Sequence, residues 1–495
     1  RCWPGLAVVS LDLRSLALLR WTYGFILLCD TLVRWSDLKA HYSDVGVLPR
    51  NQLLSLSWNE FWFSIHMASG HTKWLTFLFL LQALCAVAVM VGWRTRVNTF
   101  LSWVFLISLH SRNPMVINGG DIYLRVVLFW MLFLPWGHRW SFDARSGRGD
   151  HRWWMPAVEG NIVKGFAPLA LTVQIACVYW FAAIPKTDPS WMVDYSATNL
   201  ALHLDQFLTP AGLFFREQFG WFLPYLTVLV IHWEAFGPFL FFFPFDRGQL
   251  RTVGAIGFMM MHLGFGSCME LGFFAWIGFC SPLVLFPSWL WDSPLRRFSE
   301  KADKKFGKLQ GVDYPRFLLP FRECLFLLIM VYCFLWNLQN EDAYPKNLRL
   351  HRGLTWIGHA LRLDQRWNMF SPGPLTEDGW YIIEGRFRDG RTADLFAGGK
   401  PVTWEKPEDV AHTYKNEKWR KYMMNLWLAE NQRFRLPFGQ YLCRQWNAGG
   451  RGLGELTNFD IIYMVERTNL DGTEAEPEKS VIWTHWCFDK PPQGA

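Results

Sequence analysis

The stretch Val178-Tyr-Trp-Phe-Ala-Ala-Ile-Pro-Lys186-Thr-Asp-Pro-Ser-Trp191 ends a long apolar segment on a proline and a single lysine. The apolar segment, residues 163–184, is long enough to cross a bilayer as a helix. A lysine at such an end has two ordinary explanations. Either it extends along the helix to reach water, or it is desolvated so that its amine becomes a useful base. The stretch predicts a membrane helix and leaves the role of Lys186 open between these two.

The remaining chain has the composition of an integral membrane protein. Of its 495 residues 51% are hydrophobic and 17% are aromatic, and the hydrophobic residues occur in long blocks. Against the roughly 17 to 25 apolar residues that a membrane helix needs, the sequence predicts nine spans, at residues 13–35, 72–92, 97–112, 121–136, 163–184, 219–243, 250–270, 272–290 and 318–338. The predicted fold is therefore a polytopic α-helical membrane bundle of about nine spans.

The formal net charge of +7 does not indicate nucleic-acid binding, because the basic residues lie in short loops between apolar segments. Most of them fall on one side of the predicted bundle, around Arg94, in residues 139–152, at Arg247 and in residues 296–308. The positive-inside rule then places the amino terminus in the cytoplasm and Lys186 outside. We expect a bacterial inner (cell) membrane protein.

The composition changes after the ninth predicted span. This change predicts a transmembrane helical domain over residues 1–340 and an extracytoplasmic β-rich domain over residues 341–495, either α+β or a β-sandwich. Trp380–Gly390 and Phe459–Val465 have the pattern of strands, and the first ends in the hairpin signal Asp-Gly. The second domain therefore contains at least one antiparallel sheet.

Two helices are predicted in the same domain, over Glu417–Arg433 and Arg435–Trp446. Its two cysteines, Cys443 and Cys487, are candidates for a disulfide if the domain lies in an oxidising compartment. The spacing of cysteines and histidines along the whole chain predicts no zinc or iron–sulfur site.

Polar side chains inside the predicted spans are candidates for function, because each is costly in lipid unless it is paired or faces a cavity. The candidates are Arg20, Asp30, Gln82, His110, Asp121, Arg125, Gln174, His232, Glu234, His262, Glu270, Arg322 and Glu323. Arg20 and Glu234 are predicted to form a structural ion pair that fixes helix packing. His262 is the best candidate beside Lys186, although buried histidines are often purely structural.

Two aromatic loop segments are predicted to cover the outer mouth of the bundle. They are residues 36–72 and residues 191–214. Each suits either an interfacial helix without a ligand or a lid over a site.

Several motifs carry a resemblance to a known family. Residues 178–191 resemble the segment of vitamin K-dependent γ-glutamyl carboxylases in which a lysine is the active-site base. The same resemblance covers Arg20 with Tyr23-Gly-Phe, Asn118-Gly-Gly-Asp-Ile-Tyr-Leu124, Met261-His262 and Pro282–Trp289. Further segments are similar to the wider bacterial family with the horizontally transferred transmembrane domain: Tyr42–Arg50, Trp367-Asn-Met-Phe-Ser-Pro372 and Asp378-Gly-Trp380.

The resemblance implies roles for individual residues. Lys186 falls on the base position, His262 on a histidine of the family, and Asp121 where the carboxylases have another histidine, so all three are expected to be catalytic. The residues expected to contact the substrate are Tyr179, Trp180, Trp191 and Glu234. A second departure is Pro185, which stands where the carboxylases have a second lysine.

The resemblance also implies a reaction. Vitamin K hydroquinone or a related menaquinol is deprotonated and reacts with O2. The strong base that results removes a γ-proton from glutamate in a protein or peptide, CO2 adds, and the quinone leaves as its epoxide. A desolvated lysine that faces lipid suits this chemistry. Two alternatives remain: a non-redox protein of the same fold in peptide maturation, export or immunity, or a lipid- or quinone-binding scaffold in which Lys186 anchors a head group.

Overall fold

The computed structural model describes residues 10–148, 155–243, 248–309, 319–341, 344–448 and 454–488. Three residues used in the sequence analysis lie outside these ranges. They are Arg152 and Arg247, which belong to the predicted basic loops, and Leu318, the first residue of the ninth predicted span. The ends of both predicted domains and residues 342–343 at their boundary lie outside as well.

The described chain is mostly helical. In chain order its helices are α1 (Leu13–Ser36), α2 (Leu38–Tyr42), α3 (Arg50–Leu56), α4 (Thr72–Val91), α5 (Thr95–Arg112), α6 (Gly119–Met131), α7 (Phe142–Arg145), α8 (Phe166–Ala183), α9 (Pro189–Met192), α10 (Ala197–Ala201), α11 (Pro210–Phe219), α12 (Leu223–Phe236), α13 (Gln249–Cys268), α14 (Phe273–Cys280), α15 (Ser288–Asp292), α16 (Arg296–Phe306), α17 (Leu319–Gln339), α18 (Arg352–Ala360), α19 (Glu417–Trp427) and α20 (Arg435–Asn447).

Five helical stretches among the described residues are long and apolar enough to cross a bilayer. They are Leu13–Ser36, Thr72–Val91, Phe166–Ala183, Pro210–Phe242 and Pro320–Gln339. They coincide with the first, second, fifth, sixth and ninth predicted spans. The other four predicted spans coincide with α5, α6, α13 and α14, which are shorter or less apolar. These helices mark the chain as a membrane protein, while the count of nine spans and the cytoplasmic amino terminus stay predictions.

Two antiparallel sheets accompany the helices. The strands are β1 (Leu11–Asp12), β2 (Ala157–Glu159), β3 (Ile162–Lys164), β4 (Glu377–Phe387), β5 (Thr392–Asp394), β6 (Leu456–Arg467) and β7 (Glu478–Trp486). The first three form a small sheet in the order β1-β3-β2, and the rest form a sheet in the order β5-β4-β6-β7. Gly390, at φ +83°, makes the predicted Asp-Gly turn between β4 and β5. The predicted strands are confirmed.

The carboxy-terminal part is an α+β arrangement. Helices α19 and α20 pack on the four-stranded sheet around a shared apolar core that includes Tyr422, Phe438 and Ile461. The same core contains Leu38 and Leu53 from the first aromatic loop. That loop therefore packs under the carboxy-terminal sheet, and the described residues form one sheet with helices rather than a β-sandwich.

A short segment at the start of α19, residues 415–420, holds the carboxy-terminal part on the bundle. Lys415 donates to Asp37, at the end of α1, at 2.5 Å. Glu417 accepts a hydrogen bond from the backbone N–H of Phe273, the first residue of α14, at 3.1 Å. The carboxylate thereby satisfies a free amide at a helix N-terminus, where negative charge is favourable.

Candidate functional site

Lys186 lies buried just beyond the end of α8. Its backbone N–H donates to the carbonyl of Ala183 at 3.1 Å, which keeps the chain in a turn after Pro185. The side chain is 3% exposed, and its Nζ donates to Oε2 of Glu234, which is 7% exposed. Lys186 therefore does not extend to solvent in the structure.

An aromatic ring covers the lysine on another side. Nζ of Lys186 lies 4.3 Å from the ring centroid of Trp191, within cation–π range. Trp191 sits in α9, a four-residue helix capped by Asp188, whose side chain accepts from the N–H of Ser190. The indole Nε1–H of Trp191 donates to the carbonyl of Phe370 at 3.0 Å, which fixes the ring over the ammonium.

Residues 370–372 close the site from the carboxy-terminal part. Ser371 donates to the carbonyl of Pro185 at 3.2 Å, and the N–H of Asp188 donates to the carbonyl of Pro372 at 3.2 Å. Phe370 has a φ of +55°, in the left-handed region. The motif Trp367–Pro372 thus positions the turn that carries Lys186, a role that the sequence did not assign to it.

The partner of Glu234 differs from the prediction. The predicted Arg20–Glu234 pair is wrong, because Glu234 pairs with Lys186. The guanidinium of Arg20 donates instead to backbone carbonyls around the end of α4 and the loop after α6, those of Trp136, Val89, Met90, Arg139 and Trp140. These carbonyls accept the hydrogen bonds of Arg20, and the carboxylate close enough for an electrostatic interaction is that of Asp143. Lys186 is paired with a carboxylate, a partner that the sequence did not predict.

Tyr179 and His262 form a second buried pair on the same side of α8. The Tyr179 hydroxyl lies 3.1 Å from Nε2 of His262, and its ring stacks on Phe258 with centroids 3.8 Å apart. Tyr179 is about two helical turns before Lys186, and the Glu234 carboxylate is close enough to Tyr179 for an electrostatic interaction. The two pairs are therefore near each other, although no hydrogen bond joins them among the described residues.

The imidazole of His262 has an unused ring nitrogen. Among the residues that the structure describes, its buried Nδ1 has no hydrogen-bond partner. The ring occupies space left by a missing side chain, because a Cβ on Gly278 would lie 2.1 Å from Cε1 of His262. A buried, unpartnered nitrogen of this kind is costly unless a ligand or a water molecule uses it.

Tyrosine hydroxyls continue from His262 into the bundle. The Tyr23 hydroxyl lies 2.6 Å from the Ser281 hydroxyl. Tyr123 lies beside both Ser281 and Tyr179, although its hydroxyl makes no hydrogen bond of normal geometry in the described chain. Sequence reasoning missed these tyrosines as functional candidates; tyrosine within an otherwise apolar span is the signal that could have found them.

Trp180 points away from this site. Its ring packs against Phe239 at 5.2 Å and Phe242 at 6.0 Å between centroids, in the 3-10 turn that follows α12. No contact between Trp180 and Lys186 is present among the described residues. Of the four expected substrate contacts, Trp191, Glu234 and Tyr179 are brought together and Trp180 is not.

Asp121 belongs to a separate cluster of charges. Its carboxylate accepts hydrogen bonds from Arg34 of α1 and, at 3.1 Å, from Lys418 of α19. Arg34 also binds Asp30, and Lys418 also pairs with Glu417, so three acids surround two bases. His110 lies 3.7 Å from Asp121. These partners are different from those of Lys186, and the structure does not bring Asp121 to the lysine.

The electrostatics of this cluster keep Lys418 charged. Burial and the neighbouring Arg34 lower the pKa of Lys418, but Asp121, Glu417 and Asp30 outweigh them and raise it above its usual value. Asp121 also forms a capping box with Asn118 at the start of α6. The cluster therefore joins α1, α6 and α19 as a structural clamp.

Two other features involve the carboxy-terminal part, and the second also includes Asp205 from the second aromatic loop. Cys443 and Cys487 are joined in a disulfide, with Cα atoms 5.5 Å apart. Oxygens of Asp205, Glu466 and Glu474 lie within 4.8 Å of one another, and Nζ of Lys406 pairs with all three at 2.5 to 3.0 Å. The ammonium therefore already supplies the positive charge for this acidic group.

The comparisons with known proteins agree with the motif evidence. Residues 9–291, more than half of the chain, match the HTTM domain. A similar curated protein is the "Uncharacterized protein YitO" of Bacillus subtilis (strain 168), which is 27% identical over 113 residues. The match covers 22% of this chain and 34% of that protein, so the aligned region spans about a third of the relative. No solved structure matches the chain.

Proposed function

Because the chain belongs to the HTTM-domain family, whose domain is found in vitamin K-dependent γ-carboxylase-like proteins, we propose that it is a membrane enzyme of that type. It oxidises a reduced quinone, vitamin K hydroquinone or a related menaquinol, with O2. It couples this oxidation to proton removal from glutamate and carboxylation in a protein or peptide. The observation that carries the proposal is the buried Lys186, held between the Glu234 carboxylate and the Trp191 ring.

Lys186 acts as the base toward the phenol of the quinol. An amine acts as a base only in its unprotonated form, so any proton on Nζ must first leave it. Glu234 is the acceptor within reach, since its Oε2 already takes the hydrogen bond from Nζ. A neutral amine beside a neutral carboxylic acid is a favourable state in a dry, apolar site, where two separate charges are expensive. The amine can then take the phenol proton and become an ammonium again.

Tyr179 and His262 supply the polar surface for the ring of the quinol. The unpartnered Nδ1 of His262 can bind a hydroxyl or carbonyl oxygen, depending on its tautomer. Phe258 and Phe274, which flank these two side chains, exclude water from a strong base. These residues fit an aromatic co-substrate that enters from lipid.

The co-substrates supply the redox chemistry. Hydroquinone and O2 give the quinone epoxide and water, and CO2 replaces the γ-proton of glutamate, so that atoms and electrons balance. The role of this chain is to bind, orient and deprotonate the quinol and to keep water out.

The direct test is epoxide formation by the purified protein. Vitamin K hydroquinone is added under O2, and the epoxide is measured by chromatography for the wild type, Lys186→Met and Lys73→Met. Lys73 is exposed and lies at the start of α4, so its variant controls for the loss of a lysine. We expect Lys186→Met to lower the rate by about 100-fold or more and Lys73→Met to leave it unchanged. Equal yields from both variants would refute the base assignment.

A separate measurement tests carboxylation. Labelled CO2 is supplied with hydroquinone, and the label is sought at glutamate in host peptides with the wild type and Lys186→Met. Epoxide without labelled glutamate would restrict the activity to quinol oxidation.

One observation favours the alternative functions. Lys186 already has a partner of opposite charge, and a paired lysine is also what a scaffold for a lipid or quinone head group would show. The same fold would then serve peptide maturation, export or immunity without redox chemistry. Quinone binding that persists without any epoxide would favour this alternative.

A further inference from the structure

A cavity lies beside α1 and α14 on the side of the bundle. It has a volume of about 830 Å³ and is lined by α1, the end of α4, α14 and the segments around α7 and α16. Lys186, Glu234 and His262 do not line it. Several lining side chains are large, apolar and half or more exposed, among them Phe25, Phe142 and Trp276. The cavity is thus a groove that opens sideways, where a membrane helix faces lipid.

Helix α14 separates this groove from the His262 site. Phe273, Trp276 and Cys280 line the groove. Phe274 and Gly278, which lie on another face of the same helix, contact the imidazole of His262. The groove and the candidate active site are therefore different sites that share one wall.

The two basic residues of the groove lie at one end. Arg145 and Lys305 both line it, and their segments are joined by a hydrogen bond from the N–H of Trp140 to the carbonyl of Gly307 at 3.0 Å. Trp21 marks the same end, since its ring lies 5.4 Å from that of Trp140 and 5.5 Å from that of Phe306. Both basic side chains are exposed, and in the described chain neither has a carboxylate partner.

The rest of the groove is apolar and has the length of a lipid chain. Along α1 it extends from Leu18 to Cys29, which is about 16 Å at 1.5 Å per residue. The lining contains no Asp or Glu. The hydroxyl of Thr22, one of its few polar groups, already donates to carbonyls of its own helix. The groove therefore has two positive charges at one end. Farther along it has few polar groups that could bind the oxygens of a polar ring.

We propose that this groove binds an anionic phospholipid. One acyl chain lies between α1 and α14, and the phosphate lies at Arg145 and Lys305. The aromatic rings at that end sit at the level of the head group, where such rings are favoured. An anionic head group is preferred over a zwitterionic one, because no carboxylate is available in the lining for a choline or ethanolamine cation. This site is independent of the proposed quinol chemistry.

The test is lipid binding by the full chain in detergent micelles, measured by native mass spectrometry. Phosphatidylglycerol and phosphatidylcholine with the same acyl chains are titrated into the wild type, Arg145→Gln/Lys305→Gln and Arg297→Gln/Lys301→Gln. The second double variant removes two exposed charges from α16 that do not line the groove. Each basic residue near an anionic lipid contributes about fivefold in affinity, so the first variant should lose roughly 30-fold for phosphatidylglycerol.

The matched variant should lose less than about twofold, and phosphatidylcholine should bind more weakly than phosphatidylglycerol to the wild type. Equal losses in both double variants, or no loss in either, would overturn the proposal. Equal binding of the two lipids would also overturn it. The single variant Lys305→Gln, which removes one exposed charge and should lose about fivefold, decides the outcome if the double variant does not fold.

A second variant tests the acyl chain. Cys29→Trp fills the far end of the groove and leaves both charges in place. It should reduce phosphatidylglycerol binding at an unchanged thermal midpoint in lipid-free micelles. Full binding by this variant would mean adsorption of lipid at the surface, and the groove assignment would fail.

Discussion

Lys186 and Asp121 are both buried charges at positions that the sequence marked as catalytic, but their surroundings differ. Asp121 is bound by Arg34, Lys418 and the cap of its own helix. Lys186 has one carboxylate, Glu234, and one aromatic ring. A charge that is hydrogen-bonded by groups from three helices cannot change partners without loosening the fold. A charge held in a single ion pair can change its partner at a lower cost. The comparison supports the proposal that the chemistry takes place at Lys186 and that Asp121 serves stability.

The largest expected effect is on the Asp121 cluster. Asp121→Asn removes the carboxylate that both Arg34 and Lys418 contact. Asp30 then remains close to both cations, and Glu417 remains paired with Lys418. We expect a loss of about 3–5 kcal/mol in the free energy of unfolding, because two buried cations lose the carboxylate that both of them contact. Thermal unfolding and limited proteolysis of the carboxy-terminal part would measure it.

A matched control for Asp121→Asn is Glu159→Gln, which breaks an exposed pair with Lys164. This change should cost at most about 1 kcal/mol. If Asp121→Asn instead kept full stability and lost epoxide formation, Asp121 would be catalytic and the comparison would be reversed.

The next effect separates stability from activity at Lys186. Lys186→Met alone leaves Glu234 buried without its partner, and a loss of about 3 kcal/mol in unfolding free energy is expected. The double variant Lys186→Met/Glu234→Leu replaces the pair with apolar side chains and should recover most of that loss. Epoxide formation should be absent from both variants. A double variant that is stable and still active would show that the pair has no part in the reaction.

The sequence predicted helices better than it predicted partners. Long apolar blocks and the Asp-Gly turn depend on nearby residues, and the structure contains helices and strands at those places. The number of membrane crossings does not follow from them, since four of the predicted spans are short or only moderately apolar.

Partners depend on contacts between distant residues. Arg20 and Glu234 have opposite charge, but Arg20 is satisfied by carbonyls at the ends of two helices, which no charge pattern reveals. Likewise Phe370, whose carbonyl holds Trp191, is 179 residues away from it in sequence. Lys186 could thus be found from its local sequence, whereas its partner and its cover required the fold.

Asp378 extends the comparison to a buried acid whose carboxylate has no hydrogen-bond partner among the described residues. Asp378 is 2% exposed, and neither carboxylate oxygen makes a hydrogen bond of normal geometry to the described residues. Burial and the nearby acids Asp205 and Glu466, opposed by Lys406, raise the pKa of Asp378 to about 7. The folded state thus keeps a proton that the unfolded chain releases near pH 4.

The stability that Asp378 contributes is therefore fully present below about pH 4 and is lost as the pH rises through about 7. Asp378→Asn, which cannot ionise, should stabilise the protein more at pH 8 than at pH 5, by about 2–3 kcal/mol. The exposed Asp194→Asn is the control. Thermal midpoints of the three proteins at both pH values test this, and a gain of equal size at pH 5 and pH 8 would contradict it.

The smallest effect concerns the cover of Lys186. Trp191→Phe keeps an aromatic ring over the ammonium but removes the hydrogen bond to the carbonyl of Phe370, so unfolding free energy should fall by about 1 kcal/mol. Trp380→Phe is the matched control, because the buried Nε1 of Trp380 has no partner among the described residues. Because the phenyl ring at position 191 would no longer be fixed by a hydrogen bond, Trp191→Phe should also weaken binding of the hydroquinone at Lys186 several-fold. Binding that is weakened equally in both variants would remove Trp191 from the site, and Lys186 would then be covered by packing alone.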